Sequence, residues 1–422
     1  MLIDGRTKGL PAGVAPFDVR EIASRGWNVL AEDLPLPLAV LKASSLDHNA
    51  SWMRRFTALA GVSIAPHGKT TMSPELFRRQ LGDGAWAITV ATVQQLRVCR
   101  EHGIARVLMA NQLVGRQAIA YVLDELARDP SFEFVALVDS VAAVDRLADA
   151  ARARRAGRPL SLLVECGVAG GRTGCRTIAQ ALEVARRVHE ARPSLRLAGI
   201  EGYEGSVPGA TEEAREHAIR SFVRFMADVA VACLQAGFVD ADPLLLSAGG
   251  SAYFDLAAAL PQVLEGHAAR IVIRSGCYLT HDSDGYARAL QRMRTRTPQV
   301  GTLGEGLRDA LEVWSYVQSR PEPALAILTM GKRDVSYDLH LPYPRRVFRP
   351  GRGEAPRALD GCTITALNDQ HAFLAIDPSS DIAVGDMIGC AISHPCTTFD
   401  KWRFMPIVDD GYRVVDAITT FF

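Results

Sequence analysis

The 422-residue chain has no excess of either charge: 47 Lys and Arg stand against 47 Asp and Glu. That removes the one-signed electrostatic footprint by which proteins hold nucleic acid or an anionic membrane. No apolar run approaches the roughly 20 residues that cross a bilayer, so no membrane span is expected. The opening stretch MLIDGRTKGLPAGVAPFDVR carries no apolar h-region, so no signal peptide is expected there. The cysteines (Cys99, Cys166, Cys175, Cys233, Cys277, Cys362, Cys390 and Cys396) form no CxxC pair. Scattered thiols fit a reduced, cytoplasmic chain rather than a disulfide scaffold, and most read as small core residues. There is no low-complexity linker and no repeat beyond the alternation described next.

What is present is a rhythm of short apolar runs and amphipathic stretches. The apolar runs lie at 62–69, 85–92, 106–112, 132–140, 160–167, 197–205, 244–250 and 271–280. Helix-like segments such as SPELFRRQLGDG and TIAQALEVARRVHEARP separate them. Ser73 with Pro74 suits an N-cap and first helical position, and Gly103 suits the residue just past a helix. Continuous apolar strands alternating with helices mean a parallel sheet covered on both faces. Eight such units predict an α/β fold, a (β/α)8 TIM-like barrel over about 45–295, with a doubly wound open sheet as the alternative. Several runs end in polar or glycine-rich residues, PHGKT, ECG, GYEG, SAGGS and RSGCY, which is where a barrel places its chemistry.

Beyond residue 300 the helical period fades. Runs such as LEVWSYVQSRP, CTITALNDQHAFLAI and YRVVDAITTFF are β-branched and aromatic, and DDG and the glycines at 350–353 punctuate them. A mainly antiparallel β-domain is expected over 300–422, joined by an early strand at 35–43.

The most informative segment is APHGKTTM, residues 65–72. A lysine at a strand end can form an imine with an aldehyde cofactor, and as an amine it can also serve as a base. GVSIAPHGKT also ends like a phosphate-binding P-loop. Six residues rather than four separate Gly61 from Gly68, however, and Pro66 lacks the N–H that such a cradle uses. A plain solvated lysine is the bland alternative.

Pro66, His67, Lys69 and Thr70 match a P-H-x-K-T motif, and on it the chain resembles the fold-type III enzymes of pyridoxal 5′-phosphate (PLP), the alanine-racemase-like superfamily. It looks most like their D-serine dehydratase / D-threonine aldolase branch, over about residues 35–420, departing from it at Thr71 and Met72. The resemblance implies that Lys69 is the catalytic lysine and carries PLP. A phosphate dianion needs N–H and hydroxyl donors on glycine-rich turns. SAGGS offers Gly249, Gly250 and Ser251, and RSGCY offers the amides of Gly276 and Cys277, where the family has GG-[ST] and RxGxY. ECGVAGGRTG resembles the branch's D-x-G-x-x-R-x-G segment, which makes Arg172 a candidate to face the cofactor ring. GYEG matches a branch motif and would set Tyr203 against the cofactor. Taken alone, each is an ordinary turn, a solvated arginine or a packed tyrosine.

SHPCTTFDKW, residues 393–402, holds His394 and Cys396 two apart, a spacing that puts both on one face of an extended chain. Imidazole and thiolate suit Zn2+, and two ligands would leave an open, catalytic type of site. The resemblance implies zinc here: the dehydratases of the branch have H-x-C, whereas the aldolases have an acidic residue in place of the Cys. Asp334 and Asp338 of MGKRDVSYD are read as structural.

The resemblance therefore implies a homodimer acting on D-serine or a related D-3-hydroxy amino acid. Lys69 would remove the α-proton and zinc would assist loss of the β-hydroxyl, giving a 2-oxo acid and ammonia. Rivals are an aldolase of the same substrates, a non-catalytic PLP carrier, and a metal-dependent TIM-barrel hydrolase without PLP. A racemase is disfavoured because no second catalytic base stands out.

Overall fold

A computed structural model describes residues 1–352 and 355–422. The chain divides into two compact units. One comprises Arg54–Lys69 and Gln80–Gly276, the other Met1–Met53, Thr70–Arg79 and Cys277–Phe422.

In the first unit, each of the eight apolar runs overlaps a strand, the last by only three residues: β1 (Ser63–Ile64), β2 (Ile88–Val90), β3 (Arg106–Gln112), β4 (Glu133–Val138), β5 (Leu160–Cys166), β6 (Leu195–Gly202), β7 (Leu244–Ala248) and β8 (His267–Ile273). Every residue of β5 is buried, as are all of β6 but Arg196, the pattern of strands covered on both faces. The strands run parallel in the order β2 to β7, then β8, and β8 pairs with β1 (Val272 opposite Ser63). A parallel bridge between His67 and Thr89 joins the end of β1 to β2 and closes the ring. The doubly wound alternative, an open sheet, is thereby set aside.

Leu108, Val135, Leu137, Leu163, Ala198 and Leu245 form one buried cluster drawn from five neighbouring strands, a packed core of the kind that fills a barrel. The helices that follow the strands start on side-chain caps. Thr92, Ser140, Thr177 and Thr211 each accept the amide three residues on, satisfying a donor that the first turn leaves orphaned. Gly103, with φ +79°, takes the left-handed position after the helix Val93–Glu101 that the sequence reserved for it.

The second unit is built on an antiparallel sheet. Strand Leu311–Glu322 pairs with Leu325–Leu328, Met387–Ala391 and the early strand Leu38–Lys42. Leu38–Lys42 also pairs in parallel with Phe404–Val408, which pairs with Val414–Thr419. Trp314, Trp402, Phe399 and Phe404 are fully buried here. Trp314 Nε1 donates to Glu312 Oε2 at 3.0 Å, and the Tyr412 hydroxyl donates to the same oxygen at 2.8 Å, so the polar tips of these rings are satisfied. Asp334 is structural, as expected: its carboxylate accepts the Gly331 amide at 2.9 Å and pairs with Lys8. The turn expected at 350–353 is formed by Pro350 and Gly351; Gly353 lies outside the described residues. Among the described residues, no helix is long and apolar enough to cross a membrane.

Candidate active site

In the barrel unit, the lysine's position follows from how β1 ends. The Ala65 amide donates to Ile273 O at 2.8 Å, on β8. On the other side, the Thr89 amide donates to Pro66 O at 2.9 Å and the Thr89 hydroxyl donates to Ala65 O at 2.6 Å. The chain is thus clamped between two strands up to residue 67. It then turns through a single 3-10 turn, Gly68–Thr70, with the Lys69 side chain exposed. A lysine at the C-terminal end of a barrel strand is where barrels carry chemistry.

Neighbouring strand ends supply a charged interior that the sequence reading did not assign. Arg274, one residue past β8, is buried; it pairs with Glu201 of β6, donates to Ser247 Oγ of β7 at 2.6 Å and to Gly202 O at 3.1 Å. Burial pushes the Glu201 carboxyl up to about 7 against the pull of Arg274. Its register partner on β5, Glu165, accepts the Thr173 hydroxyl at 2.8 Å and pairs with Gln112. Two buried atoms in this layer, His67 Nδ1 and Glu201 Oε2, have no hydrogen-bond partner among the described residues. Burial, with the charges of Lys69, Arg274 and Arg172 adding to it, holds the His67 imidazole well below its ordinary range.

The glycine turn after β7 is built for close approach. Gly249 has φ +118°, a conformation that disfavours a side chain. A Cβ on Gly250 would meet the Tyr203 ring at 3.0 Å. The Gly250 amide, expected to face a phosphate, donates to Glu204 Oε1 at 2.6 Å. Glu204 is buried, and burial raises its carboxyl above the usual range against the pull of these amides. Ser275 Oγ donates to Gly250 O at 3.0 Å, fastening the turn to the segment that holds Gly276. Ser251 lies half-buried beside it, and Gly276 is buried. Arg172 is exposed on its loop with its guanidinium 4.7 Å from the Tyr203 ring centre, so these two predicted residues do meet. The barrel unit therefore brings Lys69, Arg172, Tyr203, Gly249, Gly250, Ser251 and Gly276 onto the strand-end loops of one barrel.

In the other unit, strand Met387–Ala391 stops before the H-x-C segment. Pro395 is helical, with φ −60° and ψ −37°, and Cys396 opens the one-turn helix Cys396–Phe399. The premise of an extended chain with both side chains on one face does not hold, because proline's fixed φ starts a helical turn between them. Each side chain has its own partners. His394 Nδ1 lies 2.6 Å from Asp338 Oδ2, and the Thr397 hydroxyl donates to Asp338 Oδ1 at 2.7 Å. Burial works to raise the Asp338 carboxyl, but its hydrogen bonds with Thr397 and His394 outweigh it and hold the group below its usual range. Asp338, read from sequence as structural, is thus the residue that orients the imidazole. Cys396 Sγ lies 3.6 Å from both Cys277 Sγ and the Thr70 hydroxyl. The hydrogen bond with Cys396 holds the buried Cys277 thiol below its ordinary range. Among the described residues, no three His, Cys, Asp or Glu side chains are gathered as a ready metal cage.

Family models match both parts of the chain: "Alanine racemase, N-terminal domain" over residues 41–254 and "Putative serine dehydratase domain" over 310–408. The chain is 27% identical to a D-threonine aldolase from an Arthrobacter species, with 89% of each covered. It is 26% identical to a 3-hydroxy-D-aspartate aldolase of Paracoccus denitrificans, over 74% of this chain and 76% of that one. Its fold is similar to that of a D-threonine aldolase from Filomicrobium marinum, with TM-score 0.74, 23% identity, and 94% and 97% of the two chains covered. It is also similar to a D-threo-3-hydroxyaspartate dehydratase from a Delftia species, with TM-score 0.71, 20% identity, and 93% and 99% covered. The first of these models spans half of the sequence, and the chain belongs to the alanine racemase N-terminal-domain family, within the fold-type III superfamily of PLP enzymes.

Proposed function

We propose that this chain is a PLP-dependent lyase of D-3-hydroxy amino acids that works by metal-assisted β-elimination, releasing a 2-oxo acid and ammonia. The residues of the barrel unit fit PLP. An amine stands at a strand end, the buried His67 Nδ1 and Glu201 Oε2 lack partners among the described residues, and a glycine turn already takes a carboxylate on its amide. When bound, PLP supplies an electron sink for a bond broken at Cα. Lys69 would hold the cofactor and take the α-proton at Nζ. Gly249, Ser251, Gly276 and the Cys277 amide would bind the phosphate, with Gly250 joining them where Glu204 yields its amide. Arg172 and Tyr203 would flank the ring.

The elimination is carried by one observation, the imidazole of His394 held through Nδ1 by Asp338 two residues from the Cys396 thiol. A carboxylate on one ring nitrogen leaves the other to a metal, a recurring arrangement at zinc sites. Zinc on His394 and Cys396 would supply a Lewis acid for a leaving hydroxyl. A mutant of the similar D-threo-3-hydroxyaspartate dehydratase is described as a metal-free form, which supports a metal in that protein. A second reading, retro-aldol cleavage of the same substrates, is favoured by the curated relatives, which are named aldolases. The working unit under this proposal is a homodimer, to be checked by sedimentation.

The product decides between the two. Purified protein with PLP and zinc is given D-threonine and the products are resolved by mass. 2-Oxobutanoate and ammonia, lost with EDTA and restored by zinc, are expected. Glycine and acetaldehyde would replace elimination by the aldolase reading.

A further inference from the structure

We propose that Cys277 is a metal ligand, so that the ion assigned to Cys396 is held by two thiolates; the inference rests on the metal part of the proposed function. The sequence offers only His394 and Cys396 to an ion. The structure brings to Cys396 a sulfur from 119 residues away: Cys277 Sγ, at 3.6 Å. A covalent disulfide would need about 2.0 Å. Two thiolates on one tetrahedral zinc, each about 2.3 Å from it, stand about 3.8 Å apart. The observed 3.6 Å is within a few tenths of an ångström of that separation, so the pair needs little adjustment to take an ion.

Both sulfurs are anchored. The Cys277 carbonyl accepts the His281 amide at 2.6 Å, and Cys396 opens the turn Cys396–Phe399. The Thr70 hydroxyl lies 3.8 Å from Cys277 Sγ and 3.6 Å from Cys396 Sγ, which lines the spot with a third polar group. A pair of soft thiolates selects zinc over magnesium or calcium. Binding would release the two thiol protons to solvent and leave two metal–sulfur bonds.

X-ray absorption at the zinc edge of the zinc-loaded holoenzyme counts sulfur neighbours directly. Two sulfurs at about 2.3 Å are expected, falling to one in Cys277→Ser, with zinc affinity in chelator competition at least about tenfold weaker. One sulfur in the unsubstituted enzyme, or an unchanged count in Cys277→Ser, overturns the inference. The first of these needs no variant and so stands even where Cys277→Ser does not fold. Turnover of D-threonine with and without EDTA separates the two failures. One sulfur with chelation-sensitive turnover sinks Cys277 alone, whereas no zinc uptake with chelation-insensitive turnover sinks the metal reading as well.

Discussion

The barrel mouth and the His394 segment hold their chemistry in different ways. In the barrel, Lys69, Glu165, Glu201, Ser247 and Arg274 sit at or just past the ends of different strands, and backbone register fixes where each one stands. Arg274 and Glu201 are buried there as an ion pair, whereas the Lys69 side chain is exposed. Around His394, a one-turn helix and loops carry the groups, and side-chain hydrogen bonds from Asp338, Thr397 and Thr70 aim them. The first arrangement is positioned by the whole fold. The second rests on a few contacts that can be removed one at a time without dismantling a sheet. Substitutions in the barrel should therefore reach cofactor and stability together, and substitutions near His394 should reach the metal alone.

The largest effect tests the barrel side. Lys69→Ala should remove the PLP absorption at about 410–430 nm and lower turnover by at least the roughly 10²–10⁴-fold that a positioned base contributes. Next, Cys396→Ala should keep that absorption while losing elimination, at the several kcal/mol of a Lewis acid. A variant that lost both would break the comparison. Arg274→Ala should destabilise the fold by about 3–5 kcal/mol in denaturant titration, since it leaves Glu201 uncompensated in the core. The loss should grow as pH rises. The folded-state pKa of Glu201, at about 7, lies above the ordinary carboxyl value, so its contribution is intact at low pH and lost as pH climbs through 7. Removal of Arg274 deepens that loss. The smallest effect is Asp338→Asn. It should weaken zinc binding about 10–100-fold in chelator competition with no change in the PLP spectrum.

Much of the barrel was legible because strands announce themselves locally. All eight apolar runs overlap a strand, and the lysine follows the first of them. Arg274, Glu201 and Glu204 were not assigned, although a charged residue ending an apolar run, as in IVIR and LAGIE, was a usable signal. Their roles exist only through pairing: Gly250 meets Glu204 across 46 positions and Arg274 meets Ser247 across 27. The His-Cys spacing was visible, yet its geometry was misjudged, because Pro395 turns an expected strand into a helical turn. Asp338 stands 56 residues before His394, and no local pattern links them. Sequence order thus exposes chemistry that a strand carries to its end, and hides chemistry that distant loops assemble.

The central claim is that Lys69 carries PLP. The holoenzyme is reduced with borohydride, digested and searched by mass for a pyridoxyl phosphate adduct. The account predicts that the adduct lies on the peptide containing Lys69. An adduct on Lys8, Lys42, Lys332 or Lys401, or none on a protein that shows the PLP absorption, would contradict it.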